Sequence, residues 1–377
     1  MASSSRHAAF RFALLGTLLS GAAHAATLNF GVAYARPAEP WTWSTWGTLG
    51  VSDLDALGGT VSAGVSTRAF TVTYARGLSL PPLAAVNART ALTVTGQGGV
   101  HLDTRVSGSA GPVAVTGGAA FFTVPVTAAD PLATFALAPA DLRPSGRSGD
   151  LTVRYRVNRD LVAVLGGEFG AQDHALLGVE GRRVLTRALP PEEEDGEGAP
   201  AGDADPAAHE AEAPAVEGDL PEPTGPEAPV EAGPAEPETE PVGTLSWRLG
   251  ARAGRDMLAA TGGVGYATPA GLSLNLDALI GVSDWTTAAT FDARRSWGVT
   301  GSVGALDVLG EGSSVRVYAA YEPWRLASAP LRAGAEATLV AGPGNVTLNV
   351  NGGRTLTGQT GFGVRVSYAL PLAPSPK

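Results

Sequence analysis

Residues 244–254 read TLSWRLGARAG. Leu245, Trp247, Leu249, Ala251 and Ala253 alternate with Ser246, Arg248, Gly250 and Arg252. Strict alternation sorts side chains onto two faces only in an extended chain, whose period is two; a helix would scatter the same residues around its circumference. The stretch is therefore expected to be a strand with an apolar flank and an opposite flank carrying two arginines. Such a ribbon needs an apolar medium or layer on one side and a polar environment on the other.

The scheme recurs along the chain. LSLNLDALI (272–280), SVRVYAAY (314–321), LRAGAEATLV (331–340), VTLNVN (346–351) and FGVRVSYAL (362–370) repeat it towards the C-terminus. LNFGVAYA (28–35), FTVTYAR (70–76), VHLDTRVS (100–107) and LTVRYRVN (151–158) repeat it in the first half. No stretch beyond the N-terminal segment has a helical period. The strands are about 9 to 11 residues long, the length that crosses a bilayer at a tilt. Their spacing predicts roughly eight strands after residue 243 and a similar number before residue 188, about 16 in all. Residues 36–60 and 108–150 read as long loops, and EPWTWSTWG (39–47) places three tryptophans beside the first.

Between the two β halves the composition changes. Residues 188–243 hold 17 of the 36 Asp and Glu, 12 of the 28 prolines and no Lys or Arg. A segment this charged and poor in large apolar side chains cannot bury enough surface to offset the entropy of ordering, so it is expected to be a disordered loop or linker. Its carboxylates lack the fixed spacing of a calcium loop. The remaining 19 acidic residues stand against 24 basic ones once Arg6 and Arg11 are set aside. Away from the acidic segment the chain is thus mildly cationic, although the whole chain carries a formal charge of -10. Arginine supplies nearly all of the positive charge; Lys377 is the only lysine.

Residues 1–25 have the order of a secretory signal: a basic start with Arg6 and Arg11, the apolar run FALLGTLLSGAA, and AHA before Ala26. The apolar run is too short for a transmembrane helix, which needs about 20 residues. The chain is accordingly divided into a signal peptide (1–25), a first β half (26–187), the acidic segment (188–243), a second β half (244–370) and a tail (371–377). There is no cysteine, so stability must come from burial and strand pairing rather than disulfides.

Export, alternating strands from Leu28 to Leu370, and the absence of cysteine and apolar helices together resemble outer-membrane β-barrel proteins of double-membraned bacteria. The resemblance is architectural and carries no family signature. It implies an all-β antiparallel transmembrane barrel, interrupted by the acidic segment, located in the bacterial outer membrane. Its partners would be membrane lipid and the outer-membrane assembly machinery. Such barrels usually end on an aromatic residue that the insertion machinery reads; here the last strand ends near Tyr368 or Leu370 and the chain continues through PLAPSPK. The function implied is a passive pore or a structural envelope protein. Two other arrangements fit the same pattern: a separate N-terminal β domain beside a barrel of about eight strands, and an exported, soluble two-domain β-sandwich that binds a partner at the cell surface.

On the barrel reading, the polar faces carry Arg105, Arg154, Arg156, Arg182, Arg248, Arg252, Arg294, Arg316, Arg332 and Arg365, all candidates to line a lumen. Asp103, Glu168, Glu180, Asp277, Asp292 and Glu336 share those faces. Either the two signs pair across strands and fill the interior, or a water-filled lumen with a cationic surplus favours anions. Tyr34, Tyr74, Trp247, Tyr266, Trp285, Trp297, Trp324 and Tyr368 are the candidate aromatics of a membrane interface.

Chemistry is thinly represented. His7 and His24 fall in the leader and His209 in the acidic segment, leaving His101 and His174 for any folded site. No catalytic or nucleotide-binding motif occurs. With two usable histidines and no cysteine, no metal site and no cofactor are expected. No basic cluster with interleaved aromatics suggests nucleic acid. A lipid-modifying barrel hydrolase built on His101 or His174 is the form an enzyme would take.

Overall fold

The computed structural model describes residues 26–36, 44–80, 83–137, 141–170, 173–188, 239–255, 257–282, 296–323 and 329–372. The chain divides into two units, Met1–Leu185 with Gly243–Lys377, and Thr186–Val242. Of the second unit only strand ends are described. The leader, the expected cleavage site and most of the acidic segment lie outside the described residues.

Ten strands precede the acidic segment: β1 (Thr27–Arg36), β2 (Ser44–Ala56), β3 (Gly59–Ser66), β4 (Ala69–Leu80), β5 (Leu83–Thr95), β6 (Val100–Ala110), β7 (Val113–Phe122), β8 (Gly146–Arg156), β9 (Leu161–Phe169) and β10 (His174–Ala188). Eight follow it: β11 (Thr239–Gly254), β12 (Leu258–Ala267), β13 (Ser273–Val282), β14 (Trp297–Leu306), β15 (Ser314–Tyr321), β16 (Leu331–Ala341), β17 (Gly344–Arg354) and β18 (Thr360–Pro371). All belong to one 18-stranded sheet. Sequence neighbours pair antiparallel, and β1 pairs with β18 to close the ring, with Phe30 opposite Tyr368 and Ala33 opposite Arg365. Closure removes the sheet edges that would otherwise invite pairing with another chain.

The strand number exceeds the expected 16 by two because the regions read as loops contain strands. β2 hides its period behind a bulge between Val51 and Leu54, where Asp53 takes φ 61°. β7, VAVTGGAAFF, puts small or apolar residues on both faces. The expected two-half division is joined by β10 beside β11 as well as by β1 beside β18.

Residues directly opposite one another on paired strands share a face. The flank holding Leu249, Leu276 and Val317 is open to the surroundings, at 60%, 46% and 52% exposure. Among the described residues no second protein layer covers it, so the soluble sandwich does not describe this fold. Lipid can cover such a wall; water would leave it without a counterpart.

The two rims differ. Two-residue turns at Leu57–Gly58, Gly111–Pro112 and Gly342–Pro343 mark one of them. Leu57 and Gly58 both have positive φ (54° and 72°), the geometry that matches strand twist in a tight hairpin. Both ends of the ring meet at this rim, where the Leu372 amide donates to the Ala26 carbonyl at 2.8 Å. The connection between β7 and β8, described over residues 123–137 and 141–145, leaves the opposite rim.

Candidate functional site

The inward face follows from the register. Arg316, Glu336, Asn349 and Arg365 stand opposite one another in sequence across β15, β16, β17 and β18, and Ala33 and Trp46 extend the row onto β1 and β2. A second row runs Arg89, Arg105, Gly118, Asp150, Glu168 and His174 across β5 to β10. A third places Arg248, Gly263, Asp277 and Thr300 in line on β11 to β14.

The connection after β7 folds into this interior. Asp130 starts a short 3-10 turn, Pro131–Phe135, its Oδ1 accepting from the Leu132 amide at 3.1 Å. The same carboxylate takes Arg365 Nη2 at 2.7 Å. Leu132 and Phe135 bury against Ala33, Ala35, Trp46 and Ala329. The wall is cut to receive them: a Cβ at Gly363 would sit 1.9 Å from Leu132 Cδ2. Tyr318 donates its hydroxyl to the Phe135 carbonyl at 2.8 Å. Arg332, fully buried, donates from Nε to Ala136 O at 3.1 Å, from Nη2 to Leu137 O at 3.3 Å, from Nη1 to Ala329 O at 3.4 Å, and to the Glu322 carboxylate. β16, which carries Arg332, is nine strands from β7 in a ring of 18, so the segment crosses the interior to the far wall. Further along, Arg143 donates from Nε and Nη2 to the Asp141 carboxylate, which raises the guanidinium above its ordinary pKa.

Open space remains beside the segment. A cavity of about 590 Å³ is lined by Leu137 together with Val164, Leu176, Glu180, Arg248, Arg252 and Asp277. Another of about 580 Å³ runs beside Thr60, Asn87, Arg89, Arg105 and Asp150. A smaller one of about 230 Å³ lies between the segment and Arg316, Glu336 and Arg365. On these open walls the ion pairs skip a strand. Arg105 reaches Asp150 at 3.4 Å over Gly118, and Arg248 reaches Asp277 over Gly263. A Cβ at Gly263 would lie 2.2 Å from Asp277 Oδ1. Arg154 pairs with Glu180 at 3.1 Å across β9.

Of the arginines named from sequence, Arg105, Arg154, Arg156, Arg182, Arg248, Arg252, Arg316, Arg332 and Arg365 are on the inward face. Arg294 and Asp292 lie outside the described residues. Arg156, Arg182 and Arg316 make no side-chain hydrogen bond or ion pair among the described residues. Sequence reasoning missed Arg89, which period two alone could have placed, and Glu322 and Tyr318, whose roles depend on distant partners.

The aromatics Tyr34, Tyr74, Trp247, Tyr266, Trp297 and Tyr368 face outward. Trp285 and Trp324 lie outside the described residues. Tyr34 beside Phe362 (6.2 Å) and Trp297 beside Tyr321 (4.6 Å) flank the rim with the long connection. Tyr368 beside Phe30 (5.3 Å), and Tyr74 bonded to the Leu57 carbonyl at 2.9 Å, flank the other. Both histidines face inward, away from any lipid substrate: His101 stacks on Phe122 at 5.4 Å, and His174 stands opposite Glu168.

No family model and no curated protein matches the chain. Among solved structures it is similar to a mutant porin of Rhodopseudomonas blastica, at 10% identity over 92% of this chain and 99% of that one, with a TM-score of 0.41. It is also similar to two Pseudomonas aeruginosa proteins. OccK11 (OpdR) has 10% identity, coverage of 93% and 96%, and a TM-score of 0.45. OccK10 (OpdN) has 11% identity, coverage of 93% and 99%, and a TM-score of 0.42.

Proposed function

We propose that this chain is an outer-membrane β-barrel that acts as a passive pore for small hydrophilic solutes, with a preference for anions. The observation that carries the reading is the inward row of arginines around open cavities, set behind an exposed apolar outer wall. A ring of 18 strands is wide enough for an aqueous channel, whereas eight would be filled by side chains. The outward aromatics at both rims suit the two membrane interfaces, and lipid would cover the wall between them. β18 presents Tyr368 and Leu370 outward near its end, where assembly machinery would read them.

Anion preference rests on charge that is not already neutralised. Arg105, Arg154, Arg248, Arg332 and Arg365 each have a carboxylate partner. Arg89, Arg156, Arg182 and Arg316 do not; among the described residues Asp55 and Asp103 also face inward without a side-chain partner, and Glu336 accepts only from Asn349, so the unpaired cations outnumber these carboxylates by one. Unpaired cations in a narrow aqueous passage raise the local anion concentration. The test is conductance of the purified barrel in planar bilayers under a potassium chloride gradient. Step-like channels whose reversal potential moves towards that of chloride are expected. Silence at high protein load would end the pore reading, and reversal towards potassium would end the anion preference.

A further inference from the structure

We propose that Arg332 sets the size limit of the pore by locking residues 129–137 against the far wall, leaving a fixed opening displaced towards β9–β14. The size limit rests on the pore reading; the lock itself does not.

The segment has three kinds of anchor. Leu132 and Phe135 supply apolar contact, which is strong but non-directional. The Asp130–Arg365 pair is about one-third exposed on both sides, so water competes with it. Arg332 differs from both. Its guanidinium is fully buried and reaches three carbonyls and a carboxylate at once. Two of those carbonyls, Ala136 and Leu137, belong to the crossing segment; the third belongs to Ala329, and the carboxylate belongs to Glu322. The planar fork therefore staples the crossing segment to the connection between β15 and β16. A lysine, with one ammonium, could keep the charge but not this geometry. Loss of the fork would leave the Glu322 carboxylate and the Ala136 and Leu137 carbonyls without their donors in a dry site.

Placement gives the staple its consequence. Leu137, at the stapled end, also lines the 590 Å³ cavity beside Arg248, Arg252 and Asp277. The position of this end therefore decides how much of the lumen is open on the β9–β14 side. Held there, the segment is a permanent partition rather than a gate. Tyr318 reinforces it one residue before the stapled pair, through Phe135.

The chain has no cysteine, so a single Ala133→Cys reports the segment's exposure through its rate of maleimide labelling in the folded, detergent-purified barrel. In that background Arg332→Ala is expected to speed labelling about tenfold, corresponding to about 1.4 kcal/mol of local stability. In bilayers the same change should replace one conductance level by a larger or fluctuating one, and in liposome swelling it should admit larger neutral sugars. Arg332→Lys should fail to restore either property if the fork is what holds the segment. Should Arg332→Ala not fold, as judged by heat-dependent mobility in gels, Arg332→Lys and Tyr318→Phe decide the matter by the same measurements. Unchanged labelling and unchanged conductance overturn the proposal. Faster labelling with the same sugar cutoff removes the size limit. A wild-type barrel that conducts nothing defeats the pore reading, yet the labelling rates still decide whether Arg332 is the lock.

Discussion

The wall formed by β15–β18, β1 and β2 and the wall formed by β5–β14 both carry inward arginines, yet they use them oppositely. On the first, Arg332 is fully buried and Trp46 is 2% exposed beneath the crossing segment. On the second, Arg105 and Arg248 have side chains 63% and 45% exposed and reach their carboxylates across a glycine on the strand between. The same residue type serves as a structural donor where water is excluded and as a wet surface charge where it is not. Breaking a buried pair from one side costs about 3–5 kcal/mol, while an exposed pair contributes about 0–1 kcal/mol. Function and stability are thus expected to separate by wall.

The largest effect should come from removing the apolar support of the dry wall. Trp46→Ala deletes the largest side chain in the cluster that holds Leu132 and Phe135. A loss of about 3–5 kcal/mol is expected from a truncated buried aromatic. It should appear as a lower urea midpoint of the detergent-folded barrel, with faster proteolysis confined to residues 123–145. A midpoint within error of wild type would mean that the segment is not held by packing, and would erase the contrast between the walls.

Gly263→Val tests the wet wall. A side chain there would intrude on both Arg248 Nε, 2.5 Å from the Cβ position, and Asp277 Oδ1. The bridge should open, releasing a carboxylate and a guanidinium into the lumen. Because both partners are half-exposed, the stability change should stay near 1 kcal/mol or below. The measurable outcome is a change in single-channel conductance with a nearly unchanged urea midpoint. A loss as large as that of Trp46→Ala would show that the strand-skipping pairs hold the ring together.

What could be read from the sequence divides along the same line. The alternation in TLSWRLGARAG and FGVRVSYAL placed Arg248, Arg252 and Arg365 on one face and Trp247 and Tyr368 on the other, because strand faces are a local property of period two. β2 and β7 escaped, one through a bulge that resets the period and the other through small residues on both faces. The inward course of residues 129–137 was invisible for a different reason. Its anchors, Tyr318 and Arg332, lie 183 and 195 or more residues further along the chain. No local pattern distinguishes an arginine that will bond two remote carbonyls from one that faces water.

The smallest expected effect on stability is also the sharpest on function. Arg316 sits on the inward face between the crossing segment and the open cavity, lining both neighbouring spaces, and makes no ion pair or side-chain hydrogen bond among the described residues. Arg316→Ala should therefore leave the urea midpoint within about 0.5 kcal/mol of wild type. It should also shift the reversal potential in a salt gradient away from chloride, and Arg316→Glu should shift it further. The difference should fade as ionic strength rises, because screening shortens from about 10 Å at 0.1 M to about 3 Å at 1 M salt. Arg332→Gln offers the converse pattern: a buried, paired guanidinium contributes little field to the passage, so its loss should change conductance more than ion preference. If the two variants shift selectivity equally, pairing and burial do not decide which arginines the permeating ion meets, and the two walls are electrically alike.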